Sequence, residues 1–177
     1  MTDYPLFEAL LHRRSRRFAQ GMKLEGGPLA FESRRPPEPL TLAEEAALAF
    51  AACGVTGYAL AELPYQPGPA PETGGGNIMT HFVARTVASG DAMHDIAVFV
   101  LNDHGAWMLR RPQDYPRAEI PELVRLARER QLDELYERAR IPIAAARPQV
   151  PRELPHVPPF NKWMANAPGT TYYLPVG

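Results

Sequence analysis

The sequence predicts an α+β fold, and three observations predict it. A capped, alanine-rich helix stands at "PLTLAEEAALAFAACG", an apolar run with a turn signal marks a β-hairpin at 96–111, and a long amphipathic helix follows at 119–140. Helices and strands do not alternate in the rhythm of a parallel βαβ sheet. The sheet is therefore expected to be antiparallel or mixed, with helices flanking it.

In chain order, residues 4–13 (YPLFEALLHR) put Leu6, Phe7, Leu10 and Leu11 at helical spacing and predict a short amphipathic helix. Residues 22–40 read as irregular. Thr41 and Glu44 then match a capping box, and Gly54 supplies a stop. Between them Leu42, Ala46, Ala49, Phe50 and Cys53 follow the helical period, and the helix is nearly apolar after Glu45, so it is expected to be buried. Residues 62–80, with Pro64, Pro67, Pro69, Pro71 and Gly74-Gly75-Gly76, read as a loop. They carry neither the Gly-Lys-Ser/Thr ending of a phosphate loop nor the spacing of a dinucleotide fingerprint. The run IAVFVLN at 96–102 is apolar throughout and predicts a strand in a sheet covered on both faces; Asp103-His104-Gly105 is its turn. Pro121 opens the 119–140 helix, whose stripe is Ile120, Leu123, Val124, Ala127, Leu132, Leu135, Tyr136 and Ala139, with Glu134 and Arg138 paired outside. Residues 142–160 hold six prolines, are expected to be non-regular, and are expected to wrap over a neighbouring subunit. TTYYLPVG reads as a last strand.

The totals bound the class. A chain of 177 residues, 45% of them apolar, suits one globular domain spanning 1–177. The net charge of −1 argues against a polyanion track, so no nucleic-acid partner is expected. The single cysteine, Cys53, permits no intrachain disulfide and no cysteine-based metal site, and reads as a small core residue in a cytoplasmic protein. Residues 1–20 lack the apolar stretch of a signal peptide, and no apolar run approaches the roughly 18 residues of a membrane span.

Two stretches carry candidate chemistry. "LLHRRSRRFAQG" gathers Arg13, Arg14, Ser15 and Arg17 just past the first helix. Guanidiniums with a hydroxyl suit one phosphate monoester, which carries about two charges and several acceptor oxygens; an exposed arginine cluster is the alternative. Part of the cluster also suits the negative end of the helix dipole. In "RTVASGDAMHD", Ser89, Gly90 and Asp91 predict a tight turn directly before the apolar strand, whose backbone groups could meet a polar ring edge. Asp91, His94 and Asp95 are too few for a metal site, and Ser89 lacks the setting of a catalytic serine.

Together these stretches resemble the nitroreductase superfamily of flavin enzymes, in particular its thiazoline-oxidase-like branch. "RRSRRF", "EPLTLAEEAALAFAACGVTG" and "RTVASGDAMHDIAVFVLND" are similar to three of its elements and occur in its order over about residues 8–110. The resemblance implies a nitroreductase-like sheet flanked by helices, with FMN as cofactor. It places Arg13, Arg14, Ser15 and Arg17 on the FMN phosphate, and Ser89 and Gly90 beside the isoalloxazine ring. It also implies a homodimer, and hydride transfer between NAD(P)H and a small organic acceptor. The flavin carries that reaction, so no separate acid or base is required. Family chains continue beyond a strand like TTYYLPVG, so this chain is expected to match the N-terminal part of the fold, with a partner chain completing it. A flavin-less binding or assembly module of the same fold is the alternative.

Overall fold

Thr41 opens the best-capped helix by the reciprocal bonds of the capping box. Its Oγ1 accepts from the Glu44 N–H at 3.3 Å, and the Glu44 carboxylate accepts from the Thr41 N–H at 2.8 Å. This helix, α2 (Leu42–Cys53), buries Glu45, Ala46, Ala49 and Cys53. Gly54 ends it in an ordinary extended conformation, φ −66°. Its requirement for glycine is steric, because a Cβ there would stand 2.2 Å from Cδ2 of Phe50.

The structure is a computed structural model that describes residues 4–14, 18–58, 83–87 and 95–177. The chain divides into two units, one of Leu40–Pro148 with Thr171–Gly177 and one of Met1–Pro39 with Gln149–Thr170. After α2 the first unit runs β3 (Val55–Tyr58), β4 (Val83–Arg85), β5 (Ala97–Asn102), β6 (Gly105–Leu109), α3 (Ile120–Arg128), α4 (Leu132–Ala139), β7 (Arg140–Ala144) and β8 (Tyr172–Val176). β3 and β4 form a two-stranded antiparallel ribbon. The main sheet is antiparallel in the order β7-β6-β5-β8. The expected α+β class with antiparallel strands is what the chain adopts.

The β5–β6 hairpin turns at Asp103 and His104, and Asn102 Oδ1 accepts from the His104 N–H at 2.8 Å. Val98, Val100 and Leu109 on one face pack against Ala46, Ala49 and Cys53 of α2 and Tyr136 of α4. On the other face Leu101 and Ala106 are buried, while Leu174 and Val176 at the β8 edge are exposed. The cover expected on both faces is thus complete on one.

The expectations for 119–140 and 142–160 need correction. The helix expected over 119–140 is two helices, because α3 stops in a Schellman motif: Arg130 takes φ +59°, its N–H bonds Ala127 O at 3.1 Å, and the Gln131 N–H bonds Leu126 O at 2.9 Å. The predicted stripe survives the break, since Ile120, Leu123, Val124, Leu135 and Tyr136 are all buried. The proline-rich 142–160 segment is also not wholly irregular. β7 includes Pro142, which an edge strand tolerates, and Pro159–Asn161 form a 3₁₀ turn.

In the second unit, α1 (Leu6–His12) forms as expected but buries no residue; Leu6, Phe7, Leu10 and Leu11 are all exposed, Phe7 by 77%. Residues 22–40, expected to be irregular, contain a short hairpin of β1 (Lys23–Leu24) and β2 (Phe31–Glu32). Gly26 and Gly27 at its tip both have positive φ, +77° and +74°, which L side chains rarely adopt. Residues 150–166 close into a loop, whose ends Asn166 clasps by bonding both the N–H and the carbonyl of Val150 at 2.8 and 2.9 Å.

Candidate functional site

Arg85 anchors the segment that bears the predicted ring-side turn. This side chain ends β4 and is only 8% exposed. Its Nε donates to Cys53 O at 2.8 Å and its Nη1 to Ile96 O at 3.2 Å. One guanidinium thereby links the C-terminus of α2, the end of β4 and the approach to β5. Thr86 adds two bonds to the same helix end, N–H to Gly54 O at 2.9 Å and Oγ1 to Phe50 O at 2.7 Å. Both stems of the 87–95 connection are therefore fixed to the core. Arg85 Nη2 is buried and has no hydrogen-bond partner among the described residues.

Of the predicted cofactor residues, Arg13 and Arg14 are described and both are exposed. Arg14 Nη1 donates to Leu11 O at 3.0 Å and to Arg13 O at 2.8 Å, so it closes the carboxyl end of α1. Ser15, Arg17, Ser89 and Gly90 lie outside the described residues, as do Asp91, His94 and the Gly74–Gly76 run. Guanidiniums are the donor type a phosphate monoester takes, and of these two Arg14 already spends Nη1 on the carbonyls of α1. Asp95 is exposed, and no group of three or more potential metal ligands exists among the described residues.

A polar centre that sequence reasoning missed lies under α2. Glu45 is 5% exposed. Its Oε1 accepts from Asn102 Nδ2 at 2.7 Å and Thr171 Oγ1 at 3.1 Å, and its Oε2 from the Tyr136 hydroxyl at 3.3 Å. The Tyr173 hydroxyl donates to the Glu45 carbonyl at 3.0 Å. Burial, reinforced by the Glu45 charge, pushes the Tyr136 and Tyr173 hydroxyls well above the usual tyrosine range, so they remain donors. The Arg140 guanidinium lies 5.1 Å from the ring centroids of both Trp107 and Tyr136. The local hint was a glutamate on the buried face of a helix, but its partners are distant in sequence.

The cavity beside this centre holds about 30 Å³, bounded by Ala46, Ala49, Cys53, Leu109 and Tyr136 among others. That is far below the roughly 300–1,000 Å³ of small-molecule sites. The Cys53 thiol donates to Ala49 O at 3.4 Å, and burial raises its pKa despite the nearby Arg85 charge. It is a protonated core residue, as the sequence suggested. No helix among the described residues is long and apolar enough to cross a membrane. The chain matches no protein-family model, no curated protein and no solved structure.

Proposed function

We propose that the chain is an FMN-binding oxidoreductase of nitroreductase-like fold, passing hydride between NAD(P)H and a small organic acceptor, as a homodimer or with a partner chain that completes the fold. The observation that carries this reading is the setting of the RTVASG element. Arg85 and Thr86 are fixed on the end of α2 ahead of the stretch that bears Ser89 and Gly90, and Arg85 also holds Ile96 after it. A turn that must meet a flat ring benefits from fixed stems, because preorganised contacts bind with less ordering cost. Arg13, Arg14, Ser15 and Arg17 would hold the phosphate, and Ser89 and Gly90 would border the ring. Bound flavin would supply the hydride-accepting chemistry; the chain supplies position and exclusion of water.

The purified protein is then yellow. Replacing both Arg13 and Arg17 with alanine should release the colour, and unchanged FMN retention in that variant would overturn the assignment. One observation favours the second reading, a flavin-less binding or assembly module: Arg14 is engaged on the carbonyls of α1 rather than directed at a ligand. A colourless protein with no affinity for added FMN, yet stable as a dimer or hetero-complex, would establish that alternative.

A further inference from the structure

The 150–166 loop and the β1–β2 hairpin enclose a pocket of about 650 Å³ within the second unit. Its size falls in the range of small-molecule sites. Lysine occurs only twice in the chain, against seventeen arginines, and both lysines line this pocket. Lys23 comes from the hairpin; Lys162 comes from the loop, next to Arg152 and Trp163. Arg152 Nη2 donates to the Lys162 carbonyl at 2.8 Å, which ties two cationic positions of the loop together. Lys23 has only a 3.6 Å pairing with Glu32, and among the described residues no carboxylate pairs with Lys162 or Arg152. Three cations against Glu25 and the Glu32 partner of Lys23 leave the pocket with a positive excess. Its remaining wall is apolar and includes Leu24, Leu29, Pro159 and the half-buried Trp163.

We infer that this pocket binds a small molecule that joins an aromatic ring to an oxyanion. The ammonium groups of Lys23 and Lys162, with Arg152, neutralise the anion, and the ring packs against Trp163. Lys162 and Arg152 bring two cations to one concavity without a carboxylate partner among the described residues, and their mutual repulsion is relieved by an anionic occupant. Trp163 offers a stacking face for a ring, which an inorganic anion leaves unused.

The test uses the full chain and three probes: phenyl phosphate, inorganic phosphate and phenol. Trp163 emission is read in a Trp107→Phe background, and heats of binding are measured on the native protein in parallel. Phenyl phosphate is expected to saturate at about millimolar concentration, as a fragment-sized ligand does, with inorganic phosphate and phenol each at least tenfold weaker. Lys23→Ala and Lys162→Ala should each weaken phenyl phosphate by about tenfold, the scale of one charge-assisted hydrogen bond. The Arg13→Ala/Arg17→Ala variant should bind it unchanged, which separates this site from any flavin site. No saturable binding, equal affinity for phenyl phosphate and inorganic phosphate, or indifference to both lysine substitutions would overturn the inference.

Discussion

At the Glu45 carboxylate, donors from the β5–β6 hairpin, α4 and the residue before β8 meet a residue of α2, and among the described residues no cation pairs with it. A buried charge held only by neutral donors depends on all of them, since each relieves part of its desolvation. Glu45→Ala orphans the Asn102 amide and the Thr171 and Tyr136 hydroxyls and should cost about 3–5 kcal/mol, whereas Glu45→Gln keeps one acceptor oxygen and should cost about half as much. Urea unfolding measures both, and equal midpoints would show that the network contributes nothing. Asp114 allows a pH argument with a definite sign. The Arg111 guanidinium bonds its carboxylate at 3.1 Å and holds its pKa below the usual 3.8. The folded value lies below the unfolded one, so the pair stabilises the fold above the unfolded pKa, and this contribution disappears as pH falls through the folded value. Asp114→Asn is therefore expected to cost about 1 kcal/mol at pH 7 and progressively less as the pH is lowered below 3.8. A pH-independent difference in stability would refute the linkage.

Among the elements, α2 was the most legible, because its signals are local. Thr41 and Glu44 sit three residues apart, and alanines fill the body. The reason for its ending was less legible. Gly54 reads as a stop, yet its φ of −66° needs no glycine and its requirement is the Phe50 ring. Gly54→Ala should consequently cost about 2 kcal/mol in the native background and close to nothing once Phe50 is alanine. A thermal-unfolding cycle over the two positions decides it, and an unchanged cost in the Phe50→Ala background would return the explanation to backbone conformation. The break after α3 was not legible at all. Arginine in a left-handed position leaves no signature, and apolar residues recur at short spacing on both sides of it, with only the five-residue step from Ala127 to Leu132 departing from the helical period, so Ile120 to Ala139 looked like one helix. Pro142 misled in the opposite direction. Prolines mark loops on average, but an edge strand accommodates one.

Across the whole molecule, local patterns revealed the α+β class and the hairpin, while long-range pairing stayed hidden. β8 joins β5 from the far end of the chain, and the Glu45 partners Asn102, Tyr136 and Thr171 lie 57, 91 and 126 residues away. No periodicity reports such distances. The arginine cluster was visible because its residues are adjacent; the Lys23, Arg152 and Lys162 grouping was not, because folding assembles it from two distant segments. Charge balance and exposed apolar area do act at this scale and can be read together. The net charge is −1 and the isoelectric point about 6.5, so mutual repulsion between molecules vanishes near that pH. Leu6, Phe7, Leu10 and Leu11 then present an apolar surface with no opposing field. Light scattering should peak near pH 6.5 and fall as the pH is raised toward 8.5. Phe7→Ser with Leu11→Ser leaves charge untouched and removes no buried contact, since α1 buries no residue. That variant should lose most of the scattering at pH 6.5 while keeping the native unfolding midpoint. Undiminished scattering would assign the association to charge neutrality alone, and a lowered midpoint would show that α1 contributes to the stability of the fold.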